Sequence, residues 1–382
     1  MRTLIRGLLV LFVVLVPALG ASAHAVLVET DPPDGARLEQ MPEQVALRFS
    51  EPVSVPEGAV KRTLFSEELI EEMERRYDVR WNALDRQLDE DELSEALADA
   101  EVLLTGWGSV KITGRVLNAA PKLRMIGHTG GTISDLVDES FFARGIRIVS
   151  ANATMAMAVA EYCLMMALMA RWDIMGEMGK MRENRWHALG EVMPGLMGST
   201  VGIVDYGDIA RCFIQLLKPM EVKIRVSAPY LTQEFAAENG FELVTLDEAM
   251  GCDVVSIHST LTPASYHSID AARLARMRDG AVLINSARGA VIDEEALVCE
   301  LKTGRIRAVL DVFETEPLPD DHPLRNRLPN VLNTPHVAAA SQYWRCRQVR
   351  SVVEDVDRVL AGEKTRNEIT LERYRMLSPS YK

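Results

Sequence analysis

The chain has 382 residues, of which 48% are hydrophobic and 25% are charged. A chain of this length is expected to form about two or three domains, and its composition excludes a mainly disordered or fibrous protein. The 42 Lys and Arg residues and 55 Asp and Glu residues give a net charge of −13. Because no basic patch offsets this charge, nucleic acid is not expected as a partner.

The first residues predict a secretory signal. Arg2 and Arg6 precede an apolar run from Leu8 to Val16, and the small residues 21–23 follow. A positive region, a short apolar region and an Ala-x-Ala site form the layout of a cleaved leader, and the apolar run is too short to cross a bilayer. We therefore predict a signal peptide over residues 1–23 and no stable membrane span.

Residues 24–60 predict two short strands on either side of a turn rich in Pro, Asp and Gly. From His24 the segment resembles the start of the CopC family of periplasmic copper-binding proteins, in which the N-terminal His binds Cu(II). The resemblance ends near Val60, before the family's further ligands and strands. We interpret the segment as a short β-type N-terminal extension without a working copper site.

The cysteines do not indicate a disulfide framework or a metal site. They are widely spaced and form neither a CxxC motif nor a Cys/His cluster. We therefore predict no metal site in the body of the chain, whose cysteines suit a reducing compartment. The five residues are Cys163, Cys212, Cys252, Cys299 and Cys346.

From residue 61 onward, short apolar segments alternate with amphipathic ones, which predicts an α/β fold with parallel sheets. Two long helices, predicted at 155–172 and 341–360, bracket the middle of this body and suggest one domain inserted into another. The predicted strands are 102–105, 123–126, 146–149, 200–204, 222–226, 254–257, 281–284 and 308–310.

A dinucleotide-binding turn is predicted at residues 202–211, where an apolar strand runs into a glycine-containing turn and then a helix. In the pattern G-x-G-x-x-G/A, Asp205 takes the first glycine position, Gly207 the second and Ala210 the third. This segment alone is a weak signal because only two of the three positions carry a permitted residue.

Three later segments, 284–293, 310–319 and 333–336, make the signal specific. They resemble the signatures of the D-isomer-specific 2-hydroxy acid dehydrogenase family, and the resemblance runs from about residue 62 to the C-terminal region. It implies a Rossmann-type dinucleotide-binding domain, here 154–336, inserted into a flavodoxin-like substrate domain, here 61–153 and 337–382. It also implies NAD as cofactor, a small 2-hydroxy or 2-keto acid as substrate, and a homodimer.

The resemblance assigns roles to individual residues. His336 is the catalytic acid and base, Glu316 orients it, and Arg288 holds the substrate carboxylate, which suits the chemistry of an imidazole, a carboxylate and a forked guanidinium. Gly130 and Gly131 lie where the family binds the substrate carboxylate through a glycine-rich loop. The predicted cofactor-binding residues are Tyr206, Gly207, Asp208, Ile209, Ala287 and Asp311.

Three positions depart from the family pattern. Asp205 and Asp208 place negative charge where a pyrophosphate would bind, and Ala228 stands where the family has an Asp that binds the adenosine ribose. We therefore predict weakened cofactor binding. NADP is kept as an alternative cofactor, with Arg225 as the residue to meet its phosphate.

Three functions are compatible with these patterns. The first is an NAD(P)-dependent oxidoreductase acting on a D-2-hydroxy acid and its 2-keto acid. The second is a catalytically impaired dinucleotide-binding homologue, and the third is an exported copper-binding protein. Localisation is left open because the body favours the cytoplasm, whereas the leader argues for export.

Overall fold

The computed structural model describes residues 64–82, 86–106, 108–325 and 328–377, together with the backbone of 8–11, 27–31 and 46–49. These residues form two compact units. Unit 1 consists of Met1–Ala151 and Val349–Leu371, and unit 2 of Asn152–Gln348 and Glu372–Lys382.

Most strands and helices alternate along the chain, as predicted. The strands are β1 (Leu8–Leu11), β2 (Leu27–Asp31), β3 (Ala46–Phe49), β4 (Asp78–Arg80), β5 (Val102–Thr105), β6 (Met125–His128), β7 (Arg147–Ser150), β8 (Thr200–Val204), β9 (Lys223–Ser227), β10 (Glu242–Leu243), β11 (Val254–Ile257), β12 (Val282–Asn285), β13 (Arg307–Leu310) and β14 (Val331–Asn333). The α-helices are α1 (Glu67–Arg76), α2 (Glu90–Ala96), α3 (Gly114–Ala119), α4 (Asn152–Arg171), α5 (Ile174–Arg182), α6 (Asp208–Leu217), α7 (Gln233–Asn239), α8 (Leu246–Met250), α9 (Ala271–Leu274), α10 (Glu294–Lys302), α11 (Gln342–Leu360) and α12 (Leu371–Leu377).

Unit 1 contains a five-stranded parallel sheet in the order β4-β1-β5-β6-β7. This is the flavodoxin-like order, with the first strand between the second and the third. Apolar residues of β5 and β6, such as Leu104 and Met125, form a core with Val352 and Val356 of α11. The end of α11 thus completes a core that starts far earlier in the chain.

Strand β1 comes from the predicted signal peptide. The backbone of Leu9 pairs with Val79 of β4 and Val102 of β5, so this segment takes an inner position in the sheet. The other residues of the predicted signal lie outside the described part of the chain. Strands β2 and β3 form an antiparallel pair, which confirms the two strands predicted within residues 24–60. The signal peptide and the CopC-like character of this segment remain predictions.

Unit 2 contains a seven-stranded parallel sheet in the order β10-β9-β8-β11-β12-β13-β14. Its first six strands have the Rossmann order, so the predicted α/β class and Rossmann-type domain are confirmed. Successive residues of β12 alternate between two apolar clusters: Val282 and Ile284 belong to one, and Leu283 to the other. A sheet covered on both faces requires such continuous apolar strands.

The unit boundaries differ from the predicted domain boundaries at the C-terminal end. The second segment of unit 1 begins at Val349, whereas the second segment of the substrate domain was predicted to begin at residue 337. In addition, the chain from Glu372 onward belongs to unit 2. Hydrogen bonds explain both differences. The backbone N–H groups of Val337 and Ala338 donate to Asp311 of unit 2, and Arg373 forms an ion pair with Asp208 of the same unit.

Helix α4 is, within the described residues, the one helix long and apolar enough to cross a membrane. Half of its apolar window is buried inside the protein, and Val159, Cys163 and Ala167 belong to the same cluster as Phe213 of α6. Its apolar character therefore serves packing within unit 2, as the sequence interpretation of its Met and Ala content expected.

Candidate active site

The predicted site residues of unit 2 gather at one edge of the parallel sheet. Asp205 follows β8, Ala287 and Arg288 follow β12, Asp311 follows β13, and His336 lies a few residues after β14. Because all these strands are parallel, their carboxyl ends meet at the same edge, where open α/β sheets bind ligands.

Glu316 and His336 form a hydrogen-bonded pair, with Oε2 of Glu316 2.7 Å from Nδ1 of His336. The other carboxylate oxygen accepts the Phe313 N–H at 2.9 Å. The bond from Glu316 raises the pKa of His336 even though burial of the imidazole opposes the rise. Burial alone raises the pKa of Glu316, but the bonds from His336 and Phe313 outweigh it, so the pKa of Glu316 is lowered. This pair therefore favours imidazolium at His336.

Asp311 anchors the segment that carries His336. It is 0% exposed, and its carboxylate accepts bonds from Thr334 Oγ1 at 2.6 Å and from the N–H groups of Val337 and Ala338, both at 2.8 Å. These contacts leave no exposed oxygen for the nicotinamide contact predicted from sequence. Asp311 thus positions the segment of His336, and its predicted contact with the cofactor stays a prediction.

Tyr162 extends this network and was not assigned a role from sequence. Its hydroxyl lies 2.6 Å from Thr334 Oγ1, and because Thr334 donates to Asp311, the tyrosine is the donor to Thr334. Thr334 belongs to the segment 333–336, which carries part of the family resemblance. That resemblance could have indicated a role for Thr334 from sequence.

Arg288 is exposed, and its charge acts on the His336–Glu316 pair. Its guanidinium charge lowers the pKa of Glu316 and opposes the raised pKa of His336, so it lies within electrostatic range of both. The side chain of Asn285 fixes the loop by donating to the Arg288 carbonyl at 2.9 Å and accepting the Ala287 N–H at 3.1 Å. Both backbone polar groups of Ala287 are bonded within this loop, and its role in cofactor binding stays a prediction.

Gly289 is the residue that lets this loop lie against the segment after β13. A Cβ at position 289 would lie 1.9 Å from the Phe313 carbonyl carbon and 2.1 Å from its oxygen. Backbone atoms cannot move aside cheaply, so Gly289→Ala is expected to lower the free energy of unfolding by about 3 kcal/mol. Denaturant unfolding would measure this loss.

Gly179→Ala is the matched control for that prediction. A Cβ at Gly179 meets nothing within 4 Å, and alanine favours the surrounding helix α5, so this variant is expected to be as stable as the parent or slightly more stable. Equal stability of the two alanine variants would contradict the packing argument.

The dinucleotide-binding turn keeps its backbone shape despite the substitution of its first glycine. Asp205 has φ of 73°, a left-handed conformation that Asp adopts more readily than most residues. Helix α6 begins after Gly207 without a side-chain cap, and a Cβ on Gly207 would meet nothing within 4 Å. An open glycine beside uncapped helix N–H groups fits the pyrophosphate of a dinucleotide.

Tyr206 and Ile209, two of the predicted cofactor-binding residues of this turn, already make contacts within the protein. The N–H of Tyr206 donates to Oδ1 of Asp205 at 2.8 Å and to the hydroxyl of Tyr230 at 2.9 Å. The predicted role of Tyr206 in cofactor binding stays a prediction. The Ile209 side chain packs against the apolar cluster of α4 and α6, so that residue can contribute only its backbone.

Asp208 is paired with positive charge in the structure. Its Oδ2 lies 2.9 Å from the guanidinium of Arg373, and its Oδ1 lies 3.4 Å from that of Arg211. The sequence prediction considered the bare carboxylate without these partners, and weakened cofactor binding stays a prediction. Arg225 instead pairs with Glu242 at 3.0 Å, so its predicted contact with an NADP phosphate has no support in this structure.

Gly130 and Gly131 belong to unit 1, where they follow β6. The preceding Thr129 is fixed to the neighbouring strand, because its N–H and its hydroxyl both donate to the Thr105 carbonyl, at 2.9 and 3.0 Å. Arg288, the other residue predicted to bind the substrate carboxylate, belongs to unit 2. The role of Gly130 and Gly131 in binding that carboxylate stays a prediction.

Within the described ranges, one group of side chains has the spacing of metal ligands: Glu177, His187 and Glu191. The ammonium of Lys180 lies 2.9 Å from Glu177 and 2.6 Å from Glu191. The single ammonium of Lys180 thus balances part of the negative charge of the two carboxylates.

Residues 164–338 match the model of the D-isomer specific 2-hydroxyacid dehydrogenase, NAD binding domain. The glyoxylate reductase of Korarchaeum cryptofilum is 31% identical over 276 residues, which cover 71% of this chain and 83% of that protein. The chain belongs to the D-isomer-specific 2-hydroxyacid dehydrogenase family. Unit 2 contains its NAD-binding domain, and NAD is the cofactor.

Other similar proteins extend this family match. The D-3-phosphoglycerate dehydrogenase of Methanocaldococcus jannaschii is 34% identical over 287 residues, which cover 74% of this chain and 54% of that protein. The chain thus spans about half the length of the phosphoglycerate dehydrogenases it matches. The structure of a phosphoglycerate oxidoreductase from Rhizobium etli has a TM-score of 0.69 and 25% identity, covering 83% of this chain and 97% of that one.

Proposed function

We propose that the protein is an NAD-dependent oxidoreductase that interconverts a D-2-hydroxy acid and its 2-keto acid. The observation that carries this proposal is the 2.7 Å bond between Glu316 and His336, formed at the sheet edge that also holds the dinucleotide-binding turn. His336 is also exposed, so its imidazole, held by a carboxylate that accepts the Phe313 N–H as well, can reach a substrate bound at this edge.

The proposed reaction divides its tasks among three side chains. Bound NADH supplies the hydride for the keto carbon. His336, held protonated by Glu316, donates its proton to the keto oxygen and recovers a proton from solvent, and it accepts the hydroxyl proton in the reverse direction. Arg288 holds the substrate carboxylate by two parallel hydrogen bonds. In this scheme Asp311 and Thr334 keep the segment of His336 in place.

An absorbance assay at the nicotinamide band tests the proposal. Purified full-length protein with NADH is mixed with a panel of 2-keto acids that includes glyoxylate, pyruvate and hydroxypyruvate phosphate. We expect loss of NADH absorbance with at least one of them. If NADH binds but no keto acid is reduced, the chain is the non-catalytic dinucleotide-binding homologue instead.

The pair also predicts the pH dependence of keto-acid reduction. Reduction needs protonated His336, and Glu316 raises the pKa of that imidazole, so the rate is expected to fall as pH rises through this raised value. In Glu316→Gln the carboxylate is gone, and the fall is expected at lower pH. Profiles of kcat against pH for the two proteins would show the shift, and coincident profiles would contradict it.

We further propose that a second copy of the chain covers an apolar surface on α5 and the loop after it. Large exposed apolar surfaces on soluble proteins usually mark interfaces, and the family resemblance implies a homodimer. Size-exclusion chromatography with light scattering should show a dimer, and Trp186→Asp should shift it to monomer. The exposed side chains are Trp172, Met175, Met178, Met181, Trp186, Leu189, Val192 and Met197.

For localisation, we infer that the dehydrogenase acts in the cytoplasm and keeps its N-terminal segment. Support comes from β1, because cleavage after Ala23 would remove the strand paired with both β4 and β5. N-terminal sequencing of protein from cells tests this inference. A start at His24 would overturn it in favour of export.

A further inference from the structure

The cofactor site lacks an acid at the position that usually binds the adenosine ribose. In Rossmann domains an acidic residue at the end of the second strand accepts a hydrogen bond from the ribose 2′-hydroxyl, and its charge disfavours a 2′-phosphate. Strand β9 is the second strand of unit 2, and the residue after Ser227 is Ala228, which is 1% exposed. Selectivity for NAD therefore needs another acid.

Asp205 lies at the same level of the sheet as Ala228. Val204 and Ser227 are register partners in the parallel pair of β8 and β9, so the residues that follow them leave the sheet side by side. The Asp205 N–H donates to the Ser227 carbonyl at 2.9 Å, which extends the pairing by one step. Adjacent strands are about 4.8 Å apart, a distance that one carboxylate side chain can span.

Tyr230 directs the Asp205 carboxylate toward the end of β9. Its hydroxyl donates to Oδ1 of Asp205 and accepts the Tyr206 N–H at 2.9 Å. Burial and the bond to Asp205 raise the pKa of Tyr230, so the hydroxyl stays protonated and remains a donor. Among the described residues, both hydrogen bonds to the Asp205 carboxylate end at Oδ1. Its Oδ2 can therefore accept a hydrogen bond from a ligand.

We propose that Asp205 replaces the missing acid at Ala228: its carboxylate, positioned by Tyr230, binds the adenosine ribose and selects NAD over NADP. The acid has moved from the end of β9 to the end of the neighbouring strand β8. This assignment rests on NAD as the cofactor of the proposed oxidoreductase. It reverses the expected effect of Asp205, which is then a source of affinity rather than of repulsion.

Fluorescence titrations of full-length protein with NADH and with NADPH test this proposal without an activity assay. Asp205→Asn keeps the shape of the side chain and tolerates a positive φ, so the turn is expected to stay folded. We expect this variant to bind NADH about tenfold more weakly, the loss of roughly one hydrogen bond to a charged group, and to lose most of its preference over NADPH. Adding Ala228→Asp to Asp205→Asn should restore both.

Glu221→Gln is the matched control, because Glu221 also has a positive φ but precedes β9 at the opposite edge of the sheet. It should leave both affinities unchanged. An Asp205→Asn variant that binds NADH as tightly as the parent would overturn the proposal. A variant that binds NADH more tightly would also overturn it and would show that Asp205 repels the pyrophosphate. A parent that binds no NADH would instead overturn the proposed oxidoreductase itself.

Discussion

Replacing His336 with Ala is expected to lower kcat for keto-acid reduction by about a thousandfold, the usual contribution of a positioned general acid. The imidazole is the group that Glu316 holds at 2.7 Å, and its loss removes the proton donor without touching the dinucleotide-binding turn. NADH affinity, measured by fluorescence titration, should therefore change little. Steady-state kinetics and titration together separate the loss of chemistry from a loss of binding.

His322→Ala is the control for this experiment. His322 also contacts a carboxylate, with Nε2 3.2 Å from Oε1 of Glu294, and it belongs to the same unit. If the effect of His336→Ala came from the general loss of a histidine–carboxylate pair, the two variants would behave alike. Retained turnover in His336→Ala would remove this residue from the mechanism.

Replacing Arg288 with Ala is expected to raise KM for the keto acid by about 100-fold, which corresponds to roughly 3 kcal/mol. A guanidinium binds a carboxylate through two parallel bonds, and both are lost in this variant. Arg288→Lys should recover only part of the loss because an ammonium keeps the charge but not the forked geometry. Steady-state kinetics over a range of keto-acid concentrations would measure both effects.

Arg278→Ala controls for the loss of a positive charge in unit 2. Arg278 is also on the surface and pairs with Asp253 at 3.2 Å, but it precedes β12 and so lies at the opposite edge of the sheet from Arg288. Its KM should equal that of the parent. An unchanged KM in Arg288→Ala would assign the substrate carboxylate to another residue, such as those of the Gly130–Gly131 loop.

Most strands of the two parallel sheets were predictable from sequence because burial on both faces leaves an uninterrupted apolar signal. Three predicted strands, 102–105, 200–204 and 254–257, agree with the structure at both ends, and most others differ by one or two residues. Strand β1 was not predicted, because the same apolar run also satisfies the pattern of a signal peptide. β10 spans only Glu242–Leu243, which is too short for a periodic pattern.

The active site was predictable where a local motif carried the residue. The pairing of Glu316 with His336 followed from the family resemblance, and the structure places them in contact. The partners of Asp208 were not predictable: Arg373 lies 165 residues away in the chain, and no motif marks it. The predicted repulsion of phosphate by Asp208 did not include this partner, which only the fold shows.

The division of the chain into two units separates two kinds of change that evolution or an engineer can make. His336, Glu316, Arg288 and the dinucleotide-binding turn belong to unit 2, whereas the Gly130–Gly131 loop belongs to unit 1. For the proposed oxidoreductase, we expect mutations in unit 1 to alter which acid is accepted without changing proton transfer by His336. Variants with a new substrate specificity are therefore best sought in mutant libraries confined to the loops of the unit 1 sheet, with unit 2 left unchanged.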